Sequence, residues 1–111
     1  MKKVIIILSA VVIIANACKK DSIDYTPDCT IAKTFSADAG PVIQTYCATS
    51  GCHASGSSNG IGALTSYSEI YNARTSVRAA IADGSMPQNG SLTNAQKDAV
   101  LCWIDSGAPN N

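Results

Sequence analysis

Two thiols and an imidazole stand within seven residues of this 111-residue chain, in the run Cys47-Ala48-Thr49-Ser50-Gly51-Cys52-His53. His53 is the single histidine of the protein. Thiolate sulfur and neutral imidazole are ligands for soft and borderline metals, and two nearby thiols are also a disulfide in waiting. One reading is therefore a short loop closed between Cys47 and Cys52, with His53 on the surface. A zinc site is a second reading, but one His and scattered Cys give poor spacing for a tetrahedral ion.

A third chemistry follows from the order of the residues. Cys-x-x-Cys-His is the attachment signature of c-type haem. Each thiol adds across one haem vinyl group to form a thioether, and the two vinyls lie on neighbouring edges of the porphyrin, so the cysteines must be close. The adjacent His53 then supplies one imidazole to the iron. Here the spacer has four residues instead of two. All four are small, and Gly51 can adopt the backbone angles a tight bulge requires. A spacer of this length resembles those of some multihaem cytochromes and of small cytochrome-like domains in Bacteroidetes lipoproteins. An electron carrier of this type usually takes Met as its other axial ligand. Beyond Met1 the chain has one, Met86, in Gly84-Ser85-Met86-Pro87, 33 residues after His53.

These residues need elements to carry them. Ser66-Tyr67-Ser68-Glu69 is a capping box, and Tyr67, Ile70, Tyr71, Arg74, Val77 and Ile81 follow at helical period. Gly84 stands where such a helix ends. The pattern predicts a helix over 67–83 that delivers the chain to Met86. Thr93-Asn94-Ala95-Gln96 is a second capping box. Ala99, Val100, Trp103 and Ile104 form one apolar face, and Gly107 and Pro109 stop it, giving a helix over 94–106. Pro41 opens an earlier helix whose Val42, Ile43 and Tyr46 run into Cys47. Between His53 and Leu64 the chain is rich in Gly and Ser, has no periodicity and reads as an irregular wrap.

The order helix, Cys-x4-Cys-His, loop, helix, Met-Pro, helix resembles the small class I cytochromes c over residues 35–110. The stretch from Leu92-Thr93 to Trp103-Ile104-Asp105-Ser106-Gly107-Ala108-Pro109 resembles the C-terminal helix of that family. The resemblance implies an all-α bundle of about three main helices wrapped around one covalent haem c. Cys47 and Cys52 would bind it, and His53 and Met86 would be its axial ligands. It also implies crossed N- and C-terminal helices. Cys29 and Cys102 would then lie near each other as a disulfide, with two buried thiols as the alternative. Trp103, Tyr67, Tyr71, Arg74 and Arg78 either line the haem or serve as helix packing and surface charge.

Iron with both axial positions filled exchanges electrons. The chain offers no Ser-His-Asp set, carboxylate dyad or phosphate loop, and its one His is already assigned. An electron carrier is expected rather than an enzyme, with no catalytic residue. If Met86 were labile, a sensor or peroxidase would be the reading.

Composition frames the rest. The chain is long enough for one domain. The first 17 residues hold 9 of the 23 Ile, Val, Leu and Phe residues. The remaining 94 hold 14, about 15%, below the ~20% at which a chain is suspected of lacking a sufficient core. Such thin cores usually need a staple or a cofactor. A haem offers helices a large apolar face, so the chain without it is expected to be marginally stable. Past residue 17 there are 6 basic and 8 acidic side chains, which argues against a nucleic-acid partner.

Lys2 and Lys3 precede an apolar run from Val4 to Ile14, too short for the ~20 residues of a bilayer span. This fits a secretory signal peptide over 1–17. Ala15-Asn16-Ala17-Cys18 resembles the lipobox of bacterial lipoproteins, although that family commonly has Leu at the position of Ala15 and Ser or Ala at that of Asn16. The resemblance implies lipid on Cys18, a flexible tether over 18–34, a cytochrome-like domain over 35–111 and a place in the bacterial envelope, periplasmic or surface-facing. Membrane contact would come through the lipid and electron exchange through redox partner proteins. The alternatives are a free Cys18 thiol after ordinary cleavage, and a disulfide-stabilised envelope lipoprotein without haem that serves as a binding or structural module.

Overall fold

A computed structural model describes residues 24–111. The expected signal peptide, the expected lipidation at Cys18 and the start of the expected tether lie outside the described residues. The described chain is all-α, with helices and no strand. Helix α1 spans Gly40–Tyr46, α2 spans Tyr67–Ala82 and α3 spans Asn94–Asp105. A five-residue π-helix, Phe35–Ala39, leads directly into α1. No helix among the described residues is long and apolar enough to cross a membrane.

Local signals set the helix ends. Ser66 and Glu69 exchange both bonds of their capping box, as do Thr93 and Gln96. The expected helices at 67–83 and 94–106 are found with their last residue in the cap instead of the helix. Pro41 is the second residue of α1, not its first. The start of this helical run lies further back, where Thr34 Oγ1 accepts the Ala37 N–H and the Asp38 carboxylate accepts the Thr34 N–H.

α3 packs against the π-helix, α1 and α2. Its centre is Trp103, fully buried, with Phe35 and Tyr67 ring centroids 5.2 and 6.3 Å away. Ile43, Leu64, Ile70, Ile81, Val100 and Leu101 complete the interior. The aliphatic count alone understates this core, because Trp103 and its aromatic neighbours bring large apolar areas. The rings are also fixed by polar bonds. Trp103 Nε1–H donates to the Pro109 carbonyl at 2.8 Å, and the Tyr67 hydroxyl donates to the Ala108 carbonyl at 2.9 Å. Residues 108–109 are thereby folded back over α2 and α3, and Asn111 accepts from the Phe35 and Ser36 N–H groups.

Residues 24–34 have no regular structure, as expected, but they are fastened to the helices as a strap. The Tyr25 N–H donates to the Ala82 carbonyl at 2.8 Å, and its hydroxyl donates to Asp98 at 2.9 Å. Lys97 Nζ sits 4.8 Å from the Tyr25 ring centroid. Cys29 and Cys102 form a disulfide. The packed unit therefore begins upstream of Phe35, because Tyr25 and Cys29 find partners on α2 and α3.

The disulfide closes a loop across a sequence separation of 73, worth about 4 kcal/mol in the chain-entropy account. Replacing both Cys29 and Cys102 with Ser should lower the denaturation midpoint markedly, read by circular dichroism in urea. An unchanged midpoint would contradict the staple.

Arg78 forks onto Asp105 at 2.6 and 2.8 Å, joining the end of α2 to the end of α3. That guanidinium holds the Asp105 carboxyl below the usual range, and bonds from Thr65 and Ser66 do the same for Glu69. A depressed folded-state pKa stabilises above the unfolded value and loses that contribution as pH falls through the folded one. Stability should thus be level above about pH 5 and decline below about pH 4. The decline should be shallower in Asp105→Asn, by a surface pair's worth of about 0.5 kcal/mol.

Candidate functional site

Cys47 closes α1. Its N–H and that of Ala48 both donate to the Ile43 carbonyl at 2.9 Å. The chain then doubles back: the Cys52 N–H reaches the Thr49 carbonyl and the His53 N–H reaches the Cys47 carbonyl, each at 3.0 Å. Gly51 takes φ +80°, the left-handed conformation the sequence anticipates there. Both cysteines and the imidazole thus belong to one turn. The two thiols are free, Cys47 buried and Cys52 half-buried. Burial pushes the Cys47 thiol up, and the nearby Cys52 adds to the effect.

His53 is 8% exposed. Its Nδ1 lies 2.6 Å from the Gly62 carbonyl oxygen. A carbonyl only accepts, so Nδ1 carries a proton, and whenever the ring is neutral its lone pair is on Nε2. Among the described residues Nε2 has no hydrogen-bond partner, and no fully buried side-chain nitrogen or oxygen lacks one. Metal-ligating histidines are oriented in this way, the second nitrogen donating to a carbonyl so that the first can bind.

The wrap after His53 has no secondary structure but is densely bonded. Ser57 Oγ donates to the Cys52 carbonyl at 2.5 Å. The Asn59 amide donates to the carbonyls of Gly51 and Cys52 at 3.0 and 3.1 Å. The Gly62 N–H reaches the Asn59 carbonyl at 2.8 Å, and the Leu64 N–H returns to the His53 carbonyl at 2.9 Å. The supporting roles of Ser57, Asn59 and Gly62 were not read from sequence. Their signal is the ability of Ser and Asn side chains to bond neighbouring backbone, and of Gly to turn.

Met86 stands on the loop after α2 and is half-buried. Its N–H donates to the Ala80 carbonyl at 3.1 Å, and the Ser85 N–H donates to Asp83 at 2.8 Å. The Met86–Pro87 peptide is cis. Among the described residues no hydrogen bond joins Met86 to the Cys47–His53 turn. Of the residues with two readings, Tyr67 and Trp103 pack in the aromatic cluster, Arg74 lies over the Tyr71 ring at 4.0 Å, and Arg78 pairs with Asp105.

Two open hollows, about 430 and 320 Å³, lie elsewhere. The first is lined by residues such as Ile61, Ala63 and Asn72, the second by residues such as Phe35, Pro41 and Tyr67. Neither includes Cys47, Cys52, His53 or Met86. No three His, Cys, Asp or Glu side chains converge as an ion-binding group among the described residues. A tetrahedral zinc ion would need such convergence. A porphyrin asks for something different, two thiols and an imidazole spread along one short turn with one imidazole nitrogen free to bind the iron. The donor set fits that demand. Comparison with known protein families, curated proteins and solved structures finds no match for this chain.

The unequal burial of the two thiols has a measurable consequence. In haem-free protein at neutral pH, iodoacetamide should label Cys52 at least about tenfold faster than Cys47, since a buried thiol with a raised pKa is inert. Peptide mapping after a time course reads the ratio. Equal rates would contradict the geometry of the turn.

Proposed function

We propose that this protein is a lipid-anchored c-type cytochrome that relays single electrons in the cell envelope. The observation that carries the reading is the His53 Nδ1–H bond to the Gly62 carbonyl, which leaves Nε2 as the ring nitrogen free to bind a metal, in the same turn as two free thiols. Cys47 and Cys52 would hold one haem through thioethers, and His53 would supply an axial ligand. When bound, the haem provides a reversible one-electron couple.

The chain's own residues set the character of that couple. Donation from Nδ1–H to Gly62 raises the basicity of Nε2 and fixes the plane of the ring. Met86, on the loop after α2, would offer its thioether as the second ligand to the iron. A thioether is a weak donor that favours the reduced metal and raises the potential. If His53 and Met86 both held the iron, the group would supply electron transfer and leave no place for a substrate to bind it. Lipid on Cys18 would keep the domain at a membrane surface, in reach of redox partner proteins of the envelope.

One set of observations favours a second reading. The Cys29–Cys102 disulfide and the aromatic cluster around Trp103 are built without the Cys47–His53 turn's thiols or imidazole, as a disulfide-stabilised binding or structural lipoprotein would require.

Co-expression with haem-attachment machinery separates the two. The first reading predicts red protein that retains haem in acid acetone and gives a c-type pyridine haemochrome spectrum. Met86→Ala should keep the colour but lose the sulfur-to-iron band of the oxidised protein. Colourless, stable protein would favour the second.

A further inference from the structure

The four-residue spacer poses a mechanical problem. A longer spacer has more conformations, and the second thiol is then less well placed relative to the imidazole that follows it. The wrap from Ala54 to Ala63 addresses this through one side chain. The Asn59 amide spans two successive carbonyls of the bulge, Gly51 at 3.0 Å and Cys52 at 3.1 Å. The Asn59 main-chain carbonyl accepts the Gly62 N–H at 2.8 Å. The Gly62 carbonyl then accepts from His53 Nδ1 at 2.6 Å. Ser57 braces the same corner, its Oγ accepting the Asn59 N–H at 3.2 Å while donating to the Cys52 carbonyl. One continuous set of bonds thus runs from the end of the spacer, through Asn59, to the imidazole.

We propose that Asn59 is a positioning residue that sets both the placement of Cys52 and the tautomer of His53. Its side chain pins the spacer to one shape. Its backbone, held in place by that side chain, aims the Gly62 carbonyl at Nδ1. Asn suits the task because a primary amide carries two N–H donors on one nitrogen, enough for two carbonyls at once. The proposal deepens the haem reading and rests on it for its consequences. The bonds that define it belong to the chain alone and can be tested without haem.

Asn59 is exposed, so Asn59→Ala should leave the helices and the Trp103 core folded. Asn59→Asp keeps the shape, removes both donors and turns a carboxylate toward two carbonyls. The full chain, wild type and both variants, would be purified from a host competent in haem attachment. Two readouts are taken. The first is the histidine ring ¹⁵N spectrum of the same three chains made without the attachment machinery and kept reduced, because iron on Nε2 would by itself hold the proton on Nδ1. Wild type should show the single His53 ring locked with its proton on Nδ1, and both variants should lose that lock. The second is the fraction of chains whose Cys52 remains alkylatable after denaturation, which should rise severalfold in the variants while Cys47 stays blocked. If wild type carries no haem but shows the locked ring, and the variants lose it, the electron-transfer reading falls and the role of Asn59 stands. If the ring keeps its Nδ1 proton in both folded, haem-free variants, the role of Asn59 is overturned, whatever haem the chains from the attaching host carry.

Discussion

A short hydrogen bond from His53 Nδ1 to the Gly62 carbonyl is the constraint around which the chemistry of this protein is arranged. It decides which ring nitrogen is a base, and it holds the ring against the backbone of its own loop. The two partners are nine positions apart in sequence, so the intervening chain must return to a defined point. Side-chain bonds from Ser57 and Asn59 guide the return, and the Leu64 N–H on the His53 carbonyl completes it. A loop without these bonds would let the imidazole sample both tautomers, and a base at Nε2 would exist only part of the time.

That loop needs a firm base. α1 ends at Cys47, and α2 begins just after the loop with the Ser66–Glu69 capping box. Both helices are held by α3, whose Trp103 collects Phe35 and Tyr67 around it. The strap over 24–34 and residues 108–111 clasp the same bundle, through Tyr25, the Cys29–Cys102 disulfide, Ala108 and Pro109. A small domain with few aliphatic side chains is thereby stabilised by aromatic contacts, backbone bonds to ring polar atoms and one covalent link.

Local order was the most legible part of the sequence. The two capping boxes are short-range devices, and they set the starts of α2 and α3 at Tyr67 and Asn94. The grouping of Cys47, Cys52 and His53 is likewise covalent proximity made visible. The pairing of Cys29 with Cys102 was suggested by likeness to a known architecture. The π-helix at Phe35–Ala39 was not anticipated, because its wide register goes with tertiary packing of Phe35 on Tyr67 and Trp103. The docking of the strap is not legible for the same reason, since Asp98, the partner of Tyr25, lies 73 residues away. The bonding of the Gly- and Ser-rich wrap has no periodicity to betray it. Such segments declare their turn-forming residues without declaring which carbonyls they will bind.

The most direct test of the account is the intact mass of the mature protein, purified from a host able to attach haem, followed by peptide mapping. The account predicts one haem mass on a single peptide that contains both Cys47 and Cys52, with Cys29 and Cys102 joined to each other. A chain without haem, in which Cys47 and Cys52 are bridged as a disulfide, would contradict it.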